Sequence, residues 1–333
     1  MLKKYGFIFT EFGTSGREDK VRDSIEKYVK TKVDSVEVDV NGSLICFKKG
    51  NGKNKKKLMF AAHMDAIGFI ITHIDKNGFL RFSAVGYQPS YRIVSKQVIF
   101  ENGIRGVIGI EKDEDFKSIA EKKLYIDIGA NSKEEAEKMV EIGMTAIMYN
   151  NPFEQNNKLF SSYLDDRIGC AILLELIDNL KQPYHDIYYV FTSQEEVGVR
   201  GAKTSSYKVE PDVGIALDVT VASDTPEVEF ASSTSAGKGA AIKVMDRGII
   251  VPKKLVDHMV NLCEKNKISY QKEILTMGAT DAMAIQQTKG GIIAGTISIP
   301  TRYVHSANEM CDLNDVEASV KLCTKLAETE FPF

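Results

Sequence analysis

The sequence predicts an α/β protein: a mixed central sheet flanked by helices, with a small β-rich domain inserted into it. Three observations favour this class. After residue 163, strand-like apolar runs alternate with helical patterns, as in sheets covered on both faces. Between about 75 and 160, short strand-like runs dominate instead. The length of 333 residues also exceeds what a single ordinary core holds, so two domains are expected.

The N-terminal region begins with a predicted helix. Ser15 is a candidate helix cap, and Glu18, three residues later, would complete a capping box. Behind this pair, Val21, Ile25 and Val29 recur at helical spacing. The segment therefore predicts an amphipathic helix that starts near Ser15.

Two strand signals follow the helix and are joined by Asn41-Gly42, a dipeptide that favours a tight hairpin. The basic run 48–57 lacks interleaved aromatic residues, so it predicts a solvated hairpin loop rather than a nucleic-acid site. The next segment, "KLMFAAHMDAIGFIITHI", is an apolar strand, a short polar interruption and a second apolar stretch.

The change of pattern predicts the domain boundaries. We expect residues 1–74 and 161–333 to form the catalytic domain and residues 75–160 to form the β-rich insertion, with one amphipathic helix at 132–143. The later predicted elements are helices at 166–180, 252–266 and 315–329 and strands at 186–192, 213–219 and 290–299.

Composition excludes several classes of function. The net charge of −3 and the pI near 6.1 disfavour a nucleic-acid or anionic-membrane partner. No apolar run reaches the roughly 18 residues of a membrane span, and the N-terminus does not resemble a signal peptide. The five cysteines are odd in number and lack CxxC spacing, which predicts free thiols in a reducing cytoplasm.

Polar side chains gather where predicted strands end or helices begin, the edge at which open α/β sheets form sites. They are His63 and Asp65, the pair Asp165 and Asp166, the pair Glu195 and Glu196, Asp218, and His305. Two histidines and three carboxylates suffice to hold two divalent cations if one carboxylate bridges both. Taken singly, each residue has an ordinary structural explanation, but together they predict a metal centre.

The glutamate pair needs a reason, because neighbouring carboxylates repel each other. A two-metal hydrolase uses one carboxylate as a ligand and a second, unbound one to accept the proton of a water. Reasoning from the residues alone leaves open which glutamate has which role.

With these motifs in place, the chain resembles the TET-type dinuclear metallo-aminopeptidases of metallopeptidase family forty-two. These are glutamyl and deblocking aminopeptidases that assemble into tetrahedral dodecamers. The resemblance rests on "AAHMDAIGF", "YLDDRIGC", "TSQEEVGVRGA", "ALDVTVASDTP", "GATDA" and "IPTRYVHSANEM", in this order. It implies a cytoplasmic aminopeptidase for peptide substrates, two divalent ions per subunit (Zn²⁺ first, Co²⁺ second) and a homododecamer whose subunits meet largely through the insertion.

The resemblance also implies individual roles. The implied metal ligands are Asp165 as the bridge, His63 and Asp218 for one ion, and Glu196 and His305 for the other. Glu195 is the implied general base, and Asp65 is implied to orient the His63 ring.

Four departures from the pattern of the family stand out. Ala66 replaces a glutamate, Ser162 a lysine and Ala279 a glycine, and "IEKDED" follows "GVIG" where a proline and a histidine are usual. None of them is an implied ligand or the base. They leave the side-chain specificity of the enzyme open.

Alternatives remain at this point. A carboxypeptidase or N-deacylase could use the same two-metal site, and a non-catalytic scaffold is disfavoured by the complete set of ligands. A glucanase is disfavoured because glycosidases use two carboxylates without metal. Arg167 and Arg302 flank ligands and either contact substrate or form ion pairs.

Overall fold

A computed structural model describes residues 1–111, 120–227 and 233–333. The strands are β1 Ser35–Val38, β2 Leu44–Lys48, β3 Lys57–His63, β4 Gly68–Ile74, β5 Leu80–Val85, β6 Gln97–Phe100, β7 Arg105–Ile110, β8 Leu124–Asp127, β9 Thr145–Met148, β10 Phe153–Gln155, β11 Lys158–Ser161, β12 Asp186–Thr192, β13 Val213–Val221, β14 Ala240–Met245, β15 Tyr270–Ile274, β16 Ile293–Arg302 and β17 Glu309–Asp312. The helices are α1 Leu2–Tyr5, α2 Asp19–Val29, α3 Ser90–Ile93, α4 Lys133–Ala136, α5 Leu164–Asn179, α6 Arg200–Val209, α7 Lys253–Asn266, α8 Asp281–Gln286 and α9 Leu313–Glu328.

The large sheet has the order β1-β2-β12-β3-β13-β16-β17-β11-β10, and β14 joins β16 and β15 beside this path. The four central strands β12, β3, β13 and β16 are parallel, whereas the flanking pairs β1–β2, β2–β12, β16–β17, β17–β11 and β11–β10 are antiparallel. Helices α5 and α9 contact each other and the sheet, as do α6 and α8. Apolar runs in the central strands follow from this, because strands covered on both faces are buried throughout. The predicted mixed sheet with flanking helices is confirmed.

The second unit is a closed barrel with the order β4-β5-β8-β7-β6-β9. Its own core contains Phe69, Phe82 and Phe100. The barrel strands run from residue 68 to residue 148, whereas the predicted insertion ran from 75 to 160. Strand β4 is thus a barrel strand, and the β10–β11 hairpin pairs with β17 of the large sheet. A strand signal in the sequence does not reveal which strand it pairs with, so the predicted boundaries of the insertion at residues 75 and 160 differ from those of the barrel. Residues 112–119 of the predicted insertion lie outside the described residues.

Several local predictions are confirmed. Asn41-Gly42 joins β1 to β2, and Gly42 has a φ of +92°, a value that glycine adopts without strain. The predicted later helices and strands correspond to α5, β12, β13, α7, β16 and α9. All five cysteines are free and buried. Within the described ranges, no helix combines the length and apolarity that a bilayer span requires.

Three local predictions are wrong. Segment 48–57 is a loop but not a hairpin, because β12 lies between β2 and β3. The predicted helix at 132–143 is regular only over α4. Helix α2 begins at Asp19, and Ser15 does not cap it, because the Ser15 hydroxyl donates to the Asp65 carboxylate at 2.6 Å.

Candidate active site

The parallel strands of the large sheet bring the predicted residues to one edge. His63 ends β3 and is the register partner of Thr192, which ends β12 just before the glutamate pair. Ala61 on β3 pairs with Ala216 on β13. His63 comes two residues after Ala61, and Asp218 comes two residues after Ala216. Because side chains alternate along a strand, His63 and Asp218 point to the same face. His305 follows the end of β16 at the same edge of the sheet.

Asp165 lies between the two histidines. Its Oδ1 is 3.0 Å from Nε2 of His63, and its Oδ2 is 3.1 Å from Nε2 of His305. Asp165 and Asp166 open α5 with non-helical backbone angles, and the peptide bond between them is cis. The helix axis therefore starts after these residues, and both carboxylates face the strand ends instead of the helix surface.

The glutamate pair lies on the loop between β12 and α6. Oε2 of Glu196 is 3.5 Å from Nε2 of His305, and Oε2 of Glu195 is 4.0 Å from Nε2 of His63. The backbone oxygen of Glu195 accepts from the N–H groups of Gly198 and Val199, each at 2.8 Å. Val199 has a φ of +49°, which is unusual for a β-branched residue and recurs at functional loops.

Asp218 completes the cluster from β13. Its Oδ1 lies 3.9 Å from Nε2 of His63. The side chains of His63, Asp165 and Asp218 are nearly inaccessible, whereas that of His305 is 24% exposed. The site is therefore buried on the β3 side and open to solvent on the His305 side.

Buried carboxylates outnumber the cationic groups near them. Burial raises the pKa of Glu195, Glu196 and Asp218 well above the usual range, and the neighbouring carboxylates add to this. Burial alone would also raise the pKa of Asp165, but the imidazoles of His305 and His63 lower it below its usual range. A bound cation would relieve this concentration of buried acids.

The donor set fits divalent cations. Ligand atoms of His63, Asp165 and Glu196 lie within 4.8 Å of one another, and so do those of His63, Asp166 and Asp218. Oε1 of Glu196 is buried and has no hydrogen-bond partner among the described residues. Imidazole nitrogens and carboxylate oxygens are the ligands of catalytic zinc sites. The cluster is therefore a candidate metal centre.

Asp65 contacts the His63 ring chiefly through its backbone. Nδ1 of His63 lies 3.0 Å from the Asp65 carbonyl oxygen, which can only accept, so Nδ1 carries the proton of this bond. The nearest carboxylate oxygen of Asp65 is 3.5 Å from Nδ1. That carboxylate instead accepts from the backbone N–H groups of Glu195 at 2.9 Å and Glu196 at 3.1 Å. Asp65 thus connects the strand that carries His63 to the loop that carries the glutamates.

Glu309 was missed by the sequence analysis. It is 1% exposed, and its two oxygens accept from the backbone N–H groups of His305 at 2.8 Å and Asp165 at 2.9 Å. His305 has a φ of +60°, so this bond also stabilises an uncommon backbone conformation. Burial and the charge of Asp165 raise the pKa of Glu309, whereas the backbone N–H donors lower it. Its position in "HSANEM", four residues after His305, was the available signal.

Sequence analysis assigned no role to two further carboxylates around the site, Asp166 and Asp281. Asp166 accepts from the His63 N–H at 3.1 Å and the Gly169 N–H at 3.1 Å. Asp281 accepts from the Thr192 hydroxyl at 2.5 Å, and burial raises its pKa to about 6. The motifs "LDDR" and "GATDA" contain these residues, but neither motif predicts the contact that the carboxylate makes.

The two flanking arginines do different things. Arg167 is fully buried, and its guanidinium donates to backbone oxygens of Met64, Ile8, Glu11 and Gly13 rather than to a carboxylate. It therefore fastens the N-terminal segment to the strand that carries His63. The guanidinium group of Arg302 donates to both carboxylate oxygens of Asp224 at 2.8 Å, which is a bidentate ion pair.

The barrel also reaches the site. A Cβ atom built on Gly86, which follows β5, would lie 3.3 Å from Cβ of Glu196. The next residue, Tyr87, is 73% exposed, and its ring centroid is 6.3 Å from that of His305. The insertion therefore forms part of the wall on the open side of the site.

Comparison with known proteins gives consistent matches. The family model for M42 glutamyl aminopeptidases matches residues 42–322. Lysyl aminopeptidase of Pyrococcus furiosus is 36% identical over 343 residues, covering 98% of this chain and 96% of that protein.

Solved structures agree with this. An aminopeptidase of the archaeon Desulfurococcus kamchatkensis aligns with a TM-score of 0.95 and 38% identity, covering 99% of this chain and 95% of that one. The TET1 peptidase of Pyrococcus horikoshii, which can assemble into a tetrahedron or a large octahedral shell, aligns with a TM-score of 0.85 and 34% identity, covering 99% and 100%.

Proposed function

Because this chain belongs to the M42 family of glutamyl aminopeptidases, we propose that it is a metal-dependent aminopeptidase that removes N-terminal residues from peptides. The observation that carries the proposal is the position of Asp165, whose two oxygens each face a different imidazole. A carboxylate between two such groups is what a pair of cations sharing one ligand requires.

The residues present fit two divalent ions. We assign Asp165 between the ions, His63 and Asp218 to one, and Glu196 and His305 to the other. The nitrogen and oxygen donors favour Zn²⁺, with Co²⁺ as the alternative. When bound, such ions polarise a scissile carbonyl group and lower the pKa of water.

Glu195 is the proposed general base. Its backbone is held by Asp65, and its carboxylate lies beside His63 without an imidazole contact as close as those of Asp165. Glu195 takes a proton from the attacking water and returns it to the departing amine. Burial raises the pKa of Glu195 above its usual range, which makes its carboxylate a stronger proton acceptor.

The arginines that flank the site favour an exopeptidase that acts on N-termini. A carboxypeptidase on the same ligands would need a cationic side chain in the cleft. Of the two arginines that flank ligands, Arg302 is paired with Asp224 and Arg167 is buried against backbone oxygens. The carboxypeptidase alternative is therefore disfavoured.

A substrate panel tests the activity. The chelator-treated protein is reconstituted separately with zinc, cobalt or manganese and given aminoacyl p-nitroanilides, N-acyl amino acids and peptides with blocked N-termini. We expect hydrolysis of the aminoacyl compounds alone. Release of acyl groups or of C-terminal residues, without aminoacyl hydrolysis, would replace the proposal with a deacylase or a carboxypeptidase.

Two variants test the roles. Glu195→Gln is expected to keep both metals and to lower kcat roughly 100- to 10,000-fold, since that is the usual contribution of a general base. Asp165→Ala is expected to lose metal, measured by inductively coupled plasma mass spectrometry. Glu317→Gln, at an exposed position on α9, is the matched control. Near-normal turnover in the first variant, or full metal content in the second, would refute the corresponding role.

We also propose a homododecamer in the cytoplasm. The five buried free thiols support a reducing compartment. Tyr91, Phe153 and Tyr303 are each about half exposed and line a groove of roughly 600 Å³ between α3 and the β10–β11 hairpin, a surface suited to contact with a second copy. Light scattering is expected to give a mass near twelve times the 37.0 kDa chain. A monomer at micromolar concentration would refute the assembly without bearing on the activity.

A further inference from the structure

Three consecutive backbone N–H groups in the glutamate loop each donate to a carboxylate from elsewhere in the chain. Asp65 accepts the groups of Glu195 and Glu196. The N–H of Gln194 donates to Oε1 of Glu18 at 3.0 Å. Glu18 has no place among the metal ligands or the base, and it comes from the N-terminal segment.

Glu18 is held firmly where it lies. It is 5% exposed, and its Oε1 also accepts from the Gly16 N–H at 2.9 Å. The segment that carries it is fastened by Arg167, which donates to the backbone oxygens of Ile8 and Gly13. A buried carboxylate is costly unless its contacts compensate, so its retention beside the Asp65 carboxylate calls for a use.

The backbone of Gln194 shows what that use is. Gln194 has a φ of +55°, in the left-handed region that residues with a Cβ rarely adopt. This residue turns the chain from β12 into the loop, immediately before Glu195. The hydrogen bond from the Gln194 N–H to Glu18 stabilises this uncommon conformation. If Gln194 adopted a common backbone conformation instead, the Glu195 side chain would leave the strand end in a different direction.

We propose that Glu18 is a positioning residue that sets the conformation of Gln194 and thereby the placement of the general base Glu195. This inference rests on the proposed function, in which Glu195 transfers the proton. Glu18 acts as a hydrogen-bond acceptor and touches neither the substrate nor the reacting atoms. The N–H groups of Gly16 and Gln194 both donate to one oxygen, Oε1, so the carbonyl oxygen of a side-chain amide can accept both bonds.

The test compares two variants. Glu18→Gln keeps the acceptor oxygen, whereas Glu18→Met keeps the side-chain volume and removes the acceptor oxygen. Asp23→Asn, which changes an exposed carboxylate on helix α2, the helix directly after Glu18, is the control. The readouts are kcat and KM for the best aminoacyl substrate, the pH profile of kcat, and hydrogen–deuterium exchange of the peptide covering residues 190–199.

We expect the methionine variant to lose about tenfold in kcat with KM within twofold, because small misplacements of a catalytic group cost one to two orders of magnitude and Asp65 still holds Glu195. Exchange in 190–199 should accelerate about tenfold in this variant. The glutamine variant should match the wild type in kcat, in pH profile and in exchange. The asparagine control should match it too.

The inference would be overturned if the methionine variant had the wild-type kcat and the wild-type exchange rate. It would also be overturned if the glutamine variant folded but were as impaired as the methionine variant. A shifted pH profile of kcat in the glutamine variant would overturn it as well, because the charge of Glu18 would then be the property that matters. A folded but impaired glutamine variant overturns the inference even if the methionine variant does not fold. The exchange readout needs no turnover. A wild-type protein without aminoacyl hydrolysis would therefore refute the proposed function separately.

Discussion

Replacement of Glu309 by glutamine should weaken metal binding although Glu309 is not a proposed ligand. One carboxylate holds the backbone N–H groups of Asp165 and His305, which are proposed ligands 140 residues apart on different elements. In the glutamine variant, one of the two acceptor oxygens becomes an NH₂ group. An N–H donor then faces another N–H donor at about 2.9 Å, at a side chain that is only 1% exposed.

The size of the effect follows from the bond that is lost. A hydrogen bond to a charged acceptor contributes about 1.5–3 kcal/mol. Each 1.4 kcal/mol corresponds to a factor of ten in a dissociation constant. If the disturbed ligand must be pulled back into place when metal binds, the affinity falls by roughly 10- to 100-fold. This range also matches the usual cost of losing a group that orients a metal ligand.

The assay is competition between chelator-stripped protein and a zinc-binding fluorophore at fixed pH. Glu317→Gln, the exposed control on α9, should bind as the wild type does. Far-ultraviolet circular dichroism of the stripped proteins should be unchanged in both variants. A Glu309→Gln dissociation constant within threefold of the wild-type value would refute the reasoning, since it would show that the two backbone bonds do not set the ligand positions.

Further predictions concern stability. Arg167→Met leaves several buried backbone oxygens without a donor, so urea unfolding at fixed protein concentration should show that the free energy of unfolding falls by about 3–5 kcal/mol. In the control Arg17→Met, at an exposed position, the free energy of unfolding should change by under about 0.5 kcal/mol. Lys243→Met removes the cation that pairs with the buried carboxylates of Asp246 and Glu273, so in the same assay the free energy of unfolding should fall by about 3–5 kcal/mol. A fall of less than about 1 kcal/mol would contradict this. Burial lowers the pKa of His185, whose ring stacks on Phe331. The neutral imidazole therefore contributes stability that is fully present above the pKa of histidine in the unfolded chain, near 6.5. This contribution is lost as the pH falls through the lower pKa of the folded state. Thermal midpoints between pH 5 and pH 8 should therefore vary less in His185→Gln than in the wild type, and equal slopes would contradict this.

The clustering of the site could be predicted from the sequence because it depends on a local property. A polar residue directly after an apolar strand lies at the carboxyl end of that strand, and parallel strands place these ends together. His63 and Asp218 meet for this reason. The assignment of roles to the two glutamates needed the resemblance to a family, since both have the same chemistry and neighbouring positions.

The groups that hold the site together were not predictable in the same way. A serine followed three residues later by a glutamate has the same spacing whether it caps a helix or supplies hydrogen bonds to distant loops. Ser15 and Glu18 do the second, reaching Asp65 and Gln194. The barrel boundary failed for a related reason: the pairing of β4 with β5 and β9 is a long-range choice that the strand pattern itself does not carry.

The position of the barrel within the chain has a consequence for chain entropy. It occupies the connection between His63 and Asp165, which are 102 residues apart in sequence yet 3.0 Å apart in space. The entropy of closing a loop grows only logarithmically with its length, by about 0.6 kcal/mol for each doubling. Shortening this connection to about a dozen residues would therefore ease closure of the ligand pair by only about 2 kcal/mol. The length of polypeptide between these two residues therefore adds little to the free energy of bringing them together, so this connection accommodates a whole domain at a small entropic cost.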